Sequence, residues 1–60
     1  MFIDLEDRTP DVEGVYNVKV ESTSGLPHIQ KARWMEGFGF KPVQYDLKPE
    51  EFITSWQEKH

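Results

Sequence analysis

The residues that could make a hydroxyl–imidazole pair, the unit of nucleophilic catalysis, are Ser22, Thr23, Ser24 and His28, with His60 closing the sequence. His28 follows a proline at the end of a loop-like stretch, and a terminal His60 has nothing to orient it. Glu6-Asp7 and Glu50-Glu51 are the adjacent carboxylates available for acid–base work, but neighbouring acids point apart on a strand and diverge on a helix. Asp4, Glu6, Asp7, Asp11 and Glu13 offer hard oxygen ligands without the glycine-turned, regular spacing of a calcium loop. Gly37-Phe38-Gly39-Phe40 lacks the Gly-Lys-Ser/Thr that completes a phosphate-cradling loop, and the absence of cysteine removes thiolate metal sites and disulfides. The expectation is a chain without catalytic residues, metal or cofactor, that is, not an enzyme.

The elements that would position any working surface read mainly as strands. From Val15 to Glu21, Tyr16, Val18 and Val20 fall on one face and Asn17, Lys19 and Glu21 on the other with Val15. Ser22 to Pro27 is a hairpin loop rich in residues that bond their own backbone. Alternation resumes from His28 to Met35, with Ala32 and Trp34 on the face of His28 and Gln30, and Ile29, Lys31, Arg33 and Met35 opposite. Glu36-Gly37 reads as a tight turn, Phe38 and Phe40 follow at strand spacing, and Pro42 marks an edge, a bulge or a strand end. The tail from Leu47 to His60 fits two patterns. Pro49-Glu50-Glu51 with Phe52, Ile53 and Trp56 suits a helix, whereas Phe52, Thr54 and Trp56 alternate as in a strand.

Sixty residues make one small domain, since a chain of this length buries only about 60% of its unfolded surface. The reading is a single antiparallel sheet of about four strands, mainly β, or small α+β if the tail is helical, with an acidic segment at 1–13 and a sheet body at 14–58. The eight aromatic residues argue against disorder. Net charge is −4, with Lys19, Lys31, Arg33 and Lys41 concentrated in the middle of the sequence. An acidic balance disfavours sequence-independent nucleic-acid binding, which draws on clustered Lys and Arg. No apolar run approaches the roughly 20 residues of a membrane span, the first residues lack signal-peptide character, and cysteine is absent; the expected setting is the cytoplasm.

Ile3-Asp4-Leu5, Thr9-Pro10-Asp11, Gly14-Val15-Tyr16-Asn17-Val18, Ala32-Arg33-Trp34 and Ile53-Thr54-Ser55-Trp56 together resemble the layout of a family of short phage and prophage proteins catalogued as domain of unknown function 551. The likeness spans most of the chain. Phe2 stands where that family usually has tryptophan, and Gln57-Glu58-Lys59 where it usually has a Pro-Leu-Pro stretch. The resemblance implies a compact β-sheet domain with a final strand carrying Trp56, and a mobile-element origin; it implies no activity.

The apolar residues exceed what one face of a small sheet can hold. If Tyr16, Val18, Val20, Ala32, Trp34, Phe38, Phe40 and Trp56 fill one face, then Ile29, Met35, Val43, Tyr45 and Ile53 remain for the other. Exposed apolar residues beside arginine are the material of interface centres; the alternative is a tail folded back over that second face. The expected binding surface is Ile29, Lys31, Arg33, Met35, Val43 and Tyr45, with a possible acidic contact through Asp4, Glu6, Asp7, Asp11 and Glu13. The function so read is binding to a host protein, such as a defence nuclease, by a small phage-derived inhibitor. The rivals are a self-associating homodimer and a nucleic-acid-binding module built on the basic middle segment.

Overall fold

Apolar–polar alternation is cleanest around Tyr16, Val18 and Val20, and these three side chains are buried on one face of the longest strand. In the computed structural model, which describes residues 1–58, the strands are β1 (Phe2–Asp4), β2 (Gly14–Ser22), β3 (His28–Met35), β4 (Gly39–Pro42) and β5 (Glu51–Gln57). All five pair antiparallel in one sheet of order β1-β5-β2-β3-β4, with no helix among the described residues. The mainly β reading therefore holds, with Phe2–Asp4 of the acidic segment added as a fifth strand. Within the tail, Glu51–Gln57 is a strand, and it lies inside the sheet, between β1 and β2. No helix among the described residues is long and apolar enough to cross a membrane.

One irregularity decides which side chains face inward. Lys19 pairs with Ser55 and the next residue, Val20, pairs with Ile53, so Thr54 is an extra residue in β5. Such a bulge shifts the alternation by one position. Trp56, paired with Val18, and Ile53, paired with Val20, thus share the inner face although they are three residues apart. Ile53, expected on the second face, instead packs against the core, because the bulge reverses its direction. Phe52 points outward beside Glu21.

The core is Tyr16, Val18, Val20, Ala32 and Trp56, bordered by the half-buried Ile3, Leu5, Trp34, Phe40, Leu47 and Ile53. Tyr16 meets Trp56 and Phe40 edge to face at centroid distances of 5.4 and 6.3 Å, and Trp34 meets Phe40 at 4.9 Å, the arrangement that aromatic quadrupoles favour. Two connections cover this face. In residues 5–13, the Arg8 carbonyl accepts the Trp56 indole N–H at 3.0 Å, the Val12 carbonyl accepts the Tyr16 hydroxyl at 2.6 Å, and Pro10 is buried. The Arg8 guanidinium lies 5.6 Å from the centre of the Trp56 ring and bonds Glu58 at 2.7 Å. In residues 43–50, the carbonyl of Tyr45 accepts the side-chain amide of the buried Gln30 at 2.9 Å. The Gln30 oxygen meets His28 Nε2 at 2.7 Å, so this polar side chain enters the core with both ends bonded.

Phe38 does not join the core. It is 86% exposed in the turn between β3 and β4, where its N–H bonds the Met35 carbonyl at 3.0 Å. Gly37 and Gly39 adopt φ of 85° and 92°, values that L side chains rarely tolerate. The two glycines turn the chain so that Phe40 returns to the inner face and Phe38 is left at the tip.

Three substitutions separate these roles. Trp56→Ala should cost about 3–5 kcal/mol, the range for emptying a large aromatic site, and so remove most of the stability expected of a small domain. The half-buried Trp34 should cost less, and Phe38→Ser should stay within about 0.5 kcal/mol of wild type. Urea denaturation of the three variants reads this order; a Phe38 variant as damaged as Trp56→Ala would contradict the turn.

Candidate functional site: the outer face of the sheet

Strand alternation sends every second residue to the face opposite the core. From β2 these are Val15, Asn17, Lys19 and Glu21; from β3, Ile29, Lys31, Arg33 and Met35; from β4, Lys41. Register arranges them in rows. Val15, Arg33 and Lys41 form one row and Asn17 and Lys31 another, the latter extended through β5 by Gln57, which pairs with Phe2. Lys19 lies beside Ile29 on one side and Ser55 on the other. The Asn17 amide donates to the Gln57 side-chain oxygen at 3.0 Å and fixes the middle of the face.

Among the described residues this face is largely open, with Ser55 as its buried member. Ile29 is 53% exposed and Phe52 48%, while Lys31, Arg33 and Lys41 are exposed and Lys19, Val15 and Met35 half-buried. The alternative of a tail folded over this surface is corrected by the structure: β5 is a strand within the sheet and covers nothing on either face. Lys19, Lys31, Arg33 and Lys41, from three different strands, thus come together on one surface, with Asp4 and Glu21 as the strand carboxylates at its other end.

Of the six residues expected to bind a partner, Ile29, Lys31, Arg33 and Met35 share this face. Val43 and Tyr45 lie in the connection after β4. The Val43 N–H bonds the Lys31 carbonyl at 3.3 Å, which keeps it beside the face, whereas the Tyr45 carbonyl is tied to the core residue Gln30. Four of the five acidic candidates divide between two clefts. Asp11 and Glu13 border a cleft of about 280 Å³ with Arg8, Tyr16 and Trp56; Asp4 and Glu6 border another beside Thr54. Glu13 is further engaged by the Glu36 N–H at 2.9 Å. Asp7 closes a turn through its N–H and the Asp4 carbonyl, 2.9 Å.

Sequence reasoning overlooked Phe2, Phe52, Lys19 and Lys41 as members of the same surface. Lys19 was within reach, since it shares parity with Asn17 in a regular strand; Phe52 was hidden by the bulge. His28 is engaged with Gln30 and lies 3.8 Å from Glu51 through Nδ1, while Ser22 and Ser24 bond one another, so no hydroxyl–imidazole pair forms among the described residues. His60 lies outside the described residues. No grouping of His, Cys, Asp or Glu suited to a metal ion occurs among the described residues.

No family model, curated protein or solved structure matches this chain.

Arg33 and Lys41 are directly opposed across β3 and β4, at a Cβ separation of about 5 Å, where like charges destabilise a sheet. Lys41→Glu should therefore raise stability by about 0.2–1 kcal/mol at low salt, with the gain fading as ionic strength rises. Chemical denaturation in 20 and 500 mM NaCl, both conditions chosen by order of magnitude around the screening range, checks the sign. An unchanged or lowered stability would show that the two cations are not in register.

Proposed function

We propose that this chain is a non-enzymatic binding domain that docks on another protein through the outer face of its sheet. The observation that carries the reading is the column Ile29, Lys31, Arg33 and Met35 on β3, apolar at both ends and cationic between, on a face that no other part of the described chain covers. A partner can bury Ile29 and Met35 while its own polar groups meet the cations, and interfaces draw their affinity from such desolvated centres. The resemblance to phage and prophage proteins directs the search for that partner to host enzymes, including nucleases of antiviral defence, met in the cytoplasm.

An isologous homodimer through this face is the second reading. An axis through the cations would oppose Lys31, Arg33 and Lys41 to their own copies, which like charge disfavours, whereas an axis nearer the middle of the face would set them against Asp4 and Glu21 of the second copy.

Ile29→Glu with Met35→Glu should leave the fold intact, because both side chains point away from the core, and should weaken partner binding by about 100-fold or more, the effect of roughly 2.7 kcal/mol. Circular dichroism and affinity capture from host lysate, quantified against wild type, provide the two readouts. A folded variant that retains every wild-type partner would remove the outer face from consideration.

A further inference from the structure

Acidic residues outnumber Lys and Arg by 11 to 7 in this chain, so nearby carboxylates could have neutralised every cation. They do not. Among the described residues the ion pairs are Arg8–Glu58 and His28–Glu51, and Lys19, Lys31, Arg33 and Lys41 pair with no carboxylate. These four stand on one face of the sheet, with Asp4 and Glu21 at its other end, while Asp7, Asp11, Glu13, Glu36, Asp46 and Glu50 lie in the turns and connections. A net negative molecule thus presents one locally positive surface with apolar residues set into it.

We infer that the partner docked on the outer face presents an acidic protein surface, carboxylates surrounding an apolar centre; the inference rests on the outer-face reading above. Charge complementarity selects the sign, and the residues between the cations select the class. Val15, Ile29 and Met35 border Lys19, Lys31 and Arg33, and aliphatic and thioether side chains offer no stacking plane for a base. Of the exposed aromatics, Phe38 and Tyr45 lie off the strands, in the β3–β4 turn and the connection after β4, and Phe2 and Phe52 stand on the outer face itself. Phe52 is beside Glu21, and Phe2 is separated from Lys31 by two intervening strands, about 14 Å at the usual strand spacing. A carboxylate-bearing protein surface is smaller in charge density and can seat its own apolar residues on Ile29 and Met35.

Titration of the isotope-labelled protein with poly-L-glutamate at pH 7 and low salt tests the sign and the place together. Protein and polymer are both anionic, so attraction must be local. The expected result is amide shift changes confined to β2, β3 and β4 around Lys19, Lys31, Arg33 and Lys41, an apparent affinity falling by about tenfold or more from low to 200 mM salt, and loss of both in Lys31→Glu with Arg33→Glu. Lys31→Gln with Arg33→Gln replaces that variant if its circular dichroism differs from wild type. Changes centred on residues 5–13, no changes at all, or tighter binding of an oligothymidylate than of poly-L-glutamate would overturn the inference, as would salt-sensitive self-association in sedimentation that the charge reversal abolishes. Lysate capture separates this failure from that of the outer-face reading. If Ile29→Glu with Met35→Glu releases a captured protein that the charge-reversed variant still holds at wild-type affinity, the acidic partner is overturned and the outer face stands. If neither variant releases it, both fall.

Discussion

Trp56 can be buried against Val18 only if β5 enters the sheet beside β2, and Ile53 can be buried against Val20 only if one residue between them is set aside. The bulge at Thr54 reconciles the two demands, and its carbonyl, freed from the β2 ladder, takes the Leu5 N–H at 3.0 Å. Much else depends on that strand. β1 has no neighbour except β5, and the connection over the core is held through the Trp56 indole and the Arg8 carbonyl. Without the bulge, Ile53 would face solvent and Phe52 would compete for the core, losing about 1.5–3 kcal/mol for each large apolar side chain exposed. Because β2 and β5 are far apart in sequence, the central pairing closes a long loop, the kind of contact that slows folding relative to the local β2–β3–β4 meander.

A chain this small can cover one face of its sheet and not two. The connections at 5–13 and 43–50 are both committed to the inner face, pinned by Tyr16, Trp56 and Gln30, and even there an apolar groove of about 450 Å³ remains between Trp34 and Phe40 on one wall and Leu5 and Ile53 on the other. The outer face is left to solvent by this allocation. Its composition is then a choice of sequence rather than of packing, and the sequence places four cations there against Asp4 and Glu21, amid aliphatic residues, in a protein that is acidic on balance.

The strands with regular alternation were legible from sequence. Tyr16, Val18 and Val20, and Ala32 with Trp34, announce their shared face by period alone, and Ile29, Lys31, Arg33 and Met35 follow as its complement. What could not be read depends on contacts distant in sequence. The tail fitted helix and strand equally because its apolar residues, Phe52, Ile53 and Trp56, have helical spacing; the bulge produces that spacing within a strand. Phe2–Asp4 is too short to declare itself and exists through β5. Phe38 was drawn into the core by its parity with Phe40, but the positive φ of Gly37 and Gly39 interrupts the strand between Met35 and Gly39. The gathering of Lys19, Lys31 and Arg33 with Lys41 needed the register of three strands, which no local pattern contains.

Local conflict and function coincide in this sheet. Most polar groups have suitable partners: Asn17 meets Gln57, Arg8 meets Glu58, Gln30 is bonded at both ends, and no buried side-chain polar atom among the described residues lacks a hydrogen-bond partner. Arg33 against Lys41 is the exception, a like-charged cross-strand pair at a position where either carboxylate type would be tolerated sterically and would be favoured electrostatically. Folded sequences are mutually consistent across their levels of structure, and places where a local rule is broken without a structural gain are where function is expected. Like charges also gather in two clefts, one lined by Asp11, Glu13 and Glu36 and another by Asp4, Glu6 and Glu21, but Arg33 and Lys41 are the like pair directly opposed across two strands. The repulsion between Arg33 and Lys41, about 0.2–1 kcal/mol at low salt and reduced by screening, is one that the proposed anionic partner would relieve.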